Sequence, residues 1–505
     1  MNRPTRTGLL IFALTAVLAS GCKDPIYFPI EPVRTDAQGS EGYDLDADGT
    51  ADVFFLSTPD ANGRLVSVSY DRNEDGTPDS VISLDSIPVE QCRHLVIILD
   101  GFSHDVVREF HNTRGLKLFH SPSKIVAPYP TMTDMCMEDI LGFVPVKGFQ
   151  AEYFDHRRNR IVGGAGEYLS GGNQPYNQLM HYRADLIVDA VAYLYPMKIF
   201  GHELDRVKET FDKRASREVL TYIVSSAGVS TRDGKDGQFA CLREVDRLVK
   251  QVVAETRGLT KITLLSDHGH SYTPARPAKL EAFLEKNGWD VTDRLCDRDD
   301  VVLVKFGLVT MASLSTRRPH ALAKDLAACP AVELVSVRNK QNPSSLTVYE
   351  GPVRKGAPRV EATITRTRTG RYIYETNGDD PLGLADALKT LPHPGKHGSY
   401  DANDLLAATV DAKYPAPMQR LWRAHFGLVE NPPDVIVSLK AEYYNGSEAL
   451  ARWVDVNSTH GGLARSQSVT FIMSTIGPLP PVMRARDVPA AMRKALGQPR
   501  WPIRE

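Results

Sequence analysis

Two short segments constrain this chain more than any other feature. One runs from Leu95 to Asp100 and Gly101; the other reads Thr263-Leu-Leu-Ser-Asp267-His268-Gly269-His270. Each is an apolar run of strand length that stops at an acidic residue. A continuous apolar run of that length reads as a strand buried on both faces, as in a parallel sheet covered by helices. Sheets of that kind place their sites at the carboxyl ends of the strands. Two carboxylates and an imidazole are therefore expected to meet at one sheet edge. That donor set suits a divalent cation, zinc or manganese.

The same reading extends along the chain. Val219–Val224, Ile262–Leu265, Val435–Leu439 and Val469–Met473 are expected as buried strands. Cys241–Thr256 reads as an amphipathic helix, with Leu242, Val245, Leu248, Val249, Val252 and Val253 at helical spacing. Residues 273–430 read as an insertion, with helical pieces at Leu280–Asn287 and Leu322–Ala328 and a basic, turn-rich hairpin between Arg354 and Arg371. The expected fold is α/β: a mostly parallel sheet with helices on both faces, an inserted cap over 273–430, and a small N-terminal β module over 43–90. The main domain would comprise 91–272 and 431–505.

The N-terminus has the layout of an export signal. Arg3 and Arg6 precede an apolar run from Gly8 to Ala19, too short to span a bilayer. Leu18-Ala-Ser-Gly-Cys22 resembles a bacterial lipobox. That resemblance implies a signal over 1–22, a lipid on Cys22, and an exported protein anchored to a membrane of the cell envelope, the outer membrane or the periplasmic side if the host is Gram-negative. Residues 23–42 read as the tether. A net charge of −2 gives no sign of a nucleic-acid partner. There is no CxxC spacing, which argues against a zinc–cysteine site. An oxidising compartment allows a disulfide, with Cys296 and Cys329 the first choice.

Within the N-terminal module a nine-residue pattern occurs twice. Asp44, Asp46, Asp48, Gly49 and Asp52 recur as Asp71, Asn73, Asp75, Gly76 and Asp79. Oxygens at positions 1, 3, 5 and 9 with glycine at 6 are what a calcium loop requires. Position 12 is Phe55 or Ile82 rather than glutamate, so the loops are not EF-hands. They resemble the calcium-loop repeats of extracellular bacterial proteins and thrombospondin type 3 repeats. Metal-free Asp-Gly turns are the plain alternative.

Further landmarks follow in order. Pro130-Thr-Met-Thr133 resembles a nucleophile segment P-x-x-T, and Gly148 through Asp155 the segment that follows it. Asp267-His268-Gly269 is D-H-G, Ser458-Thr-His460-Gly461-Gly462 a late H-G element, and Val488–Gly497 a closing helix. Together with Asp100-Gly101 they make the chain resemble the alkaline phosphatase superfamily, close to its nucleotide pyrophosphatase/phosphodiesterase branch, from about His94 to Gln498. The resemblance implies a metal-dependent phosphoric-ester hydrolase or phosphotransferase acting on a phosphate-ester substrate. Thr133 would be the nucleophile, with Thr131 the rival. Asp100, Thr133, Asp267, His268 and His460 would make up the metal site, with His460 also supporting the phosphate.

Two-zinc members of that superfamily carry a further Asp and His in a segment matched here by Thr221–Val229. Ser225 and Val229 stand in those places, unless Asp233 or Asp236 swings in instead. One reading of the gap is a single-metal enzyme, as in lipoteichoic acid synthase-like members. The other is a surface lipoprotein that has lost catalysis and binds a ligand or partner through the same cleft. Cys136 stands three residues after Thr133, where nucleotide phosphodiesterases often carry Asn, which points away from nucleotide specificity.

Overall fold

A computed structural model describes residues 25–143, 145–170, 174–184, 192–352, 360–392, 395 and 398–503. The signal segment and Cys22 lie outside the described residues.

The apolar runs form the centre of a seven-stranded sheet. Its order is Tyr182–Arg183, Glu218–Ile223, Arg93–Leu99, Thr260–Ser266, Val469–Ser474, Ser123–Val126, Val482–Arg484. Val469–Ser474 runs antiparallel to both its neighbours, and the other pairings are parallel. Arg93–Leu99 and Thr260–Ser266 are adjacent and almost wholly buried, as continuous Leu/Ile/Val runs require. Helices pack on both faces, among them His104–Thr113, Pro196–Lys213 and Ser225–Glu255 on one and Thr133–Leu141 and Val488–Leu496 on the other. The architecture is the expected α/β one.

Three expectations are corrected. The strand Val435–Leu439 does not belong to this sheet. It is the fourth strand of a separate nine-stranded sheet built mainly from the insertion, between Met311–Thr316 and Val332–Arg338. Its continuous apolar run is buried on both faces in either sheet, so periodicity could not assign it. The helix expected from Cys241 begins at Ser225 and ends at Glu255, with a break at Gly234 (φ 58°, ψ −137°). The polar stretch 232–237 lies inside it. Cys296 is a free exposed thiol and Cys329 a free buried one, so the expected disulfide is not formed.

The segment 25–42 is not a tether. Ile26 and Phe28 are buried in the same core as the Ser225–Glu255 helix. The Gln251 side chain accepts from the Tyr27 and Phe28 N–H groups and donates to the Pro25 carbonyl. Arg34–Thr35 and Glu41–Tyr43 begin a five-stranded antiparallel meander completed by Val53–Ser57, Leu65–Tyr70 and Ser80–Ser83. A buried Lys250 joins module to helix through Glu41, Asp246 and the Tyr43 hydroxyl. Apolar residues separated by prolines read as linker because their packing partner lies more than 200 residues away.

Candidate metal centre

Register brings the two opening motifs together. Leu99 pairs with Ser266 across the parallel strands, so Asp100 and Asp267 leave the sheet side by side. Backbone then locks them. The Gly101 N–H donates to Asp267 Oδ1 at 3.0 Å and the Phe102 N–H to Ser266 Oγ at 2.9 Å. On the other flank Tyr222 is paired with Ile98, and its hydroxyl donates to Asp100 Oδ2 at 2.5 Å. Ser226 Oγ accepts from the Asp100 N–H at 2.7 Å.

Thr133 enters from the opposite side as the first residue of the helix Thr133–Leu141; Met132 occupies the N-cap position. The Thr133 hydroxyl is therefore not spent on capping. It stands 3.5 Å from Asp100 Oδ2 and 3.3 Å from His268 Nε2. His268 Nε2 is 3.4 Å from Asp267 Oδ2 and 3.6 Å from Asp100 Oδ1. One ligand atom each from Asp100, Asp267 and His268 falls within a 4.8 Å cluster of buried groups. The helix start adds a positive dipole end facing the same spot.

The donor chemistry fits a cation. Asp267 is fully buried, and among the described residues its Oδ2 accepts no hydrogen bond. A carboxylate oxygen in that state costs several kcal/mol unless positive charge meets it (about 3–5 when a buried pair is broken). His268 Nδ1 lies 3.0 Å from the Gly269 carbonyl. A carbonyl only accepts, so Nδ1 carries a proton, which in the neutral ring leaves Nε2, the atom facing the carboxylates, as the lone-pair nitrogen. That is the arrangement of a metal-binding histidine. His460 is the same case, with Nδ1 2.8 Å from the Thr131 carbonyl.

His460 sits on a loop braced by the insertion. Thr310 donates to its carbonyl through both N–H (2.7 Å) and hydroxyl (2.9 Å). Its ring stacks on His268 with centroids 4.1 Å apart. Burial and the neighbouring His268 push its pKa down to about 3, so it is neutral.

Other candidates separate cleanly. Thr131 is buried, accepts from the Gly461 N–H and faces the Gly462 carbonyl, so it clips the His460 loop rather than facing the carboxylates. Cys136 is fully buried, and burial, with Asp267 and Asp139 nearby, raises its thiol well above the usual range. Val229 lies in the hydrophobic core, and Asp233 and Asp236 are exposed on the helix. The stretch from Gly148 to Asp155 ends in a hairpin, Glu152–Asp155 against Arg160–Gly163. Tyr222 and Ser226 are additions to the expected site, and His270, the last letter of D-H-G-H, stands beside it though the resemblance does not call for it; Tyr222 lies within the expected strand Val219–Val224.

The Asp-rich loops form a second, separate cluster. Asp44, Asp46 and Asp48 bring carboxylate oxygens within 4.8 Å of one another. The two copies fold alike. In each, position 6 donates its N–H to the carboxylate at position 1 (Gly49 to Asp44, Gly76 to Asp71). Position 2 donates likewise to position 9 (Leu45 to Asp52, Arg72 to Asp79). Gly49 and Gly76 have φ of 93° and 77°, which favours glycine.

No family model matches the chain, and no curated protein matches it. Among solved structures, murine ectonucleotide pyrophosphatase/phosphodiesterase 5 aligns over 82% of this chain and 97% of its own, at 11% identity and a TM-score of 0.42. The human counterpart aligns over 82% and 96%, at 12% identity and 0.41. An inactive murine form in complex with AMP gives 82%, 97%, 12% and 0.41. These likenesses are loose, and the weight rests on the geometry of the centre itself.

Proposed function

We propose that the chain is an exported, metal-dependent phosphoric-ester hydrolase or phosphotransferase with Thr133 as nucleophile. The observation that carries this is the Thr133 hydroxyl, 3.5 and 3.3 Å from Asp100 and His268, with His268 in turn 3.4 Å from a buried Asp267 oxygen that accepts no hydrogen bond among the described residues. Asp100, Asp267, His268 and Thr133 would hold one divalent cation, zinc or manganese. Such a cation lowers the pKa of a coordinated hydroxyl and offsets phosphoryl charge. The chain's own residues do the rest. Tyr222 fixes Asp100, the Gly101 N–H fixes Asp267, and the helix start directs its N–H groups at the phosphoryl oxygens. Thr133 would lose its hydroxyl proton to solvent and attack phosphorus in line while the bond to the ester oxygen opposite breaks, and water, or an acceptor hydroxyl in a phosphotransferase, would then displace Thr133 from phosphorus.

His460 presents a lone pair beside this centre. With Val229 in the core, a second cation would lack its partners, which favours one metal. The test is turnover of bis(p-nitrophenyl) phosphate and p-nitrophenyl phosphate with zinc, manganese, magnesium or calcium. No turnover with any metal points to the binding-lipoprotein reading.

We also read the Asp-rich loops as calcium sites that stiffen the module, and Cys22 as the lipid-bearing residue. Pro25 is already tied to the body. Three residues of chain span about 10 Å at most, so the anchor would hold the body against the membrane without a tether. Mass spectrometry of the mature N-terminal peptide tests the lipid.

A further inference from the structure

The nine-stranded sheet of the insertion carries a groove of about 490 Å³ at one end of its strands. Val337 pairs with Val435 across two antiparallel neighbours, so the next residues outward, Arg338 and Asp434, leave the sheet together. Both line the groove, with Lys340 as a second cation. Its apolar lining is Pro319, Val337, Pro343 and Phe426. None of these residues belongs to the metal centre.

Opposite charges placed across a strand pair normally meet, and these do not. Asp434 turns its Oδ2 to the Thr316 N–H at 3.0 Å. The Arg338 guanidinium lies over the Phe426 ring instead, its carbon 5.3 Å from the centroid. Phe426 in turn stacks on Trp422, with centroids 4.8 Å apart and planes 26° from parallel. Trp422 is fixed by its indole N–H, which donates to the Ser344 carbonyl at 2.9 Å, and Arg366 covers its other neighbourhood at 4.8 Å. Arg338 is thus held in place by rings rather than by an acid. Among the described residues neither Arg338 nor Lys340 is in an ion pair.

The groove is left with unneutralised positive charge. Arg338 is half-buried, and burial lowers its pKa, which Asp434 only partly offsets. Nearby histidines register the same field. Burial and the Arg338 charge push His425 down to about 3, and burial, with Lys340 and Lys324, lowers His320. A partly desolvated cation without a counter-charge is costly. A guanidinium steadied over a ring keeps N–H groups for a forked bond to a carboxylate or phosphate. We propose that this groove binds a small organic anion, with Arg338 and Lys340 meeting its carboxylate or phosphate head and Phe426, Val337 and the two prolines its apolar body. The volume suits a small molecule, for which pockets run about 300–1,000 Å³. The site is independent of the phosphoric-ester reading.

Calorimetry with three probes tests this: 1-naphthylacetate, 1-naphthylmethylphosphonate and the neutral 2-(1-naphthyl)ethanol. None is a phosphate ester. At least one anion should bind at millimolar concentration or below, at least about tenfold tighter than the alcohol, as a charge-assisted hydrogen bond requires. Arg338→Gln should remove that difference. Lys340→Glu, at an exposed position, should weaken the anion about threefold and keeps the test open if Arg338→Gln does not fold. Folded Asp267→Asn, with the metal centre disabled, should bind the anion as wild type does. Absence of binding by both anions, equal binding of anion and alcohol, or wild-type affinity in Arg338→Gln and Lys340→Glu overturns the site. Anion binding that is lost in Asp267→Asn assigns it to the metal centre and overturns the site as well.

Discussion

The molecule gathers acidic side chains in two places, and they differ in what the protein supplies around them. In the N-terminal loops the carboxylates of Asp44 and Asp52 accept backbone N–H groups and are partly exposed, and Asp46 and Asp48 are exposed. Water and peptide dipoles already satisfy them, so a cation there adds stability but is not demanded. At the sheet edge Asp267 is fully buried with an oxygen that accepts nothing among the described residues, and His268 turns a bare nitrogen toward it. Burial converts the same chemical groups from a tolerant turn into a site that needs positive charge. The contrast predicts reactivity in one cluster and only stiffening in the other.

The sharpest way to break that contrast is to remove the hydroxyl facing the buried cluster. Thr133→Ala should lower turnover by at least about a thousandfold, the scale seen when a nucleophile is deleted. Thr131→Ala, which loosens the His460 loop, should retain the reaction at reduced rate. Activity in Thr133→Ala within tenfold of wild type would remove the buried cluster's claim to chemistry.

The next effect concerns the gap at Ser225 and Val229. Val229 is packed in the core and the Ser225 N–H donates to Glu203. The double change Ser225→Asp with Val229→His should not create a second metal site. It should destabilise by about 2–4 kcal/mol, from burying polar groups without partners. Denaturant melts together with metal analysis decide this. Two transition-metal ions per chain in the variant, with stability unchanged, would show that the core there is more accommodating than Val229 suggests.

Much of the buried cluster was legible in the sequence, and for a physical reason. A parallel strand buried on both faces must be continuously apolar, so its first polar residue marks the sheet edge. Asp100 and Asp267 are therefore placed at that edge by the pattern of residues alone. The nine-residue repeat was legible because each turn is specified locally, by aspartates and one glycine. What could not be read depends on distant partners. Ile26 and Phe28 pack on a helix more than 200 residues away. Val435–Leu439 has the apolar pattern of either sheet, and only its hydrogen bonds assign it. His270 meets Ser458, a contact no spacing rule connects to it.

A third test compares what each cluster loses with its metal. Chelation of a transition ion should destabilise the whole fold, by about 2.7 kcal/mol relative to protein with free metal at a hundred times its dissociation constant. Asp267→Asn should abolish that difference, because the variant holds little metal to lose. Asp46→Asn should leave it intact, because the loops are satisfied by backbone. A melting temperature that does not respond to chelator in wild type would show that the buried carboxylates are not cation-dependent.

The smallest effect belongs to the loops, and acid exposes it. Backbone N–H groups, chiefly that of Gly49, hold Asp44 below the ordinary aspartate value of 3.8, and the Thr77 hydroxyl and N–H do the same for Asp75. A carboxylate whose folded pKa is depressed contributes stability above its unfolded value and loses it as pH falls through the folded one. The Gly49 and Thr77 amide resonances should therefore keep their bonded positions down to about pH 4 and move below it. Bound calcium competes with protons for the same oxygens, so millimolar calcium should push both midpoints lower still. Asp46→Asn should weaken the shift in the first loop and spare the second, which contains its own ligands. Midpoints that ignore calcium would leave the repeat as a pair of well-made turns. Midpoints that respond would make both acidic clusters cation sites, separated by what burial demands of each.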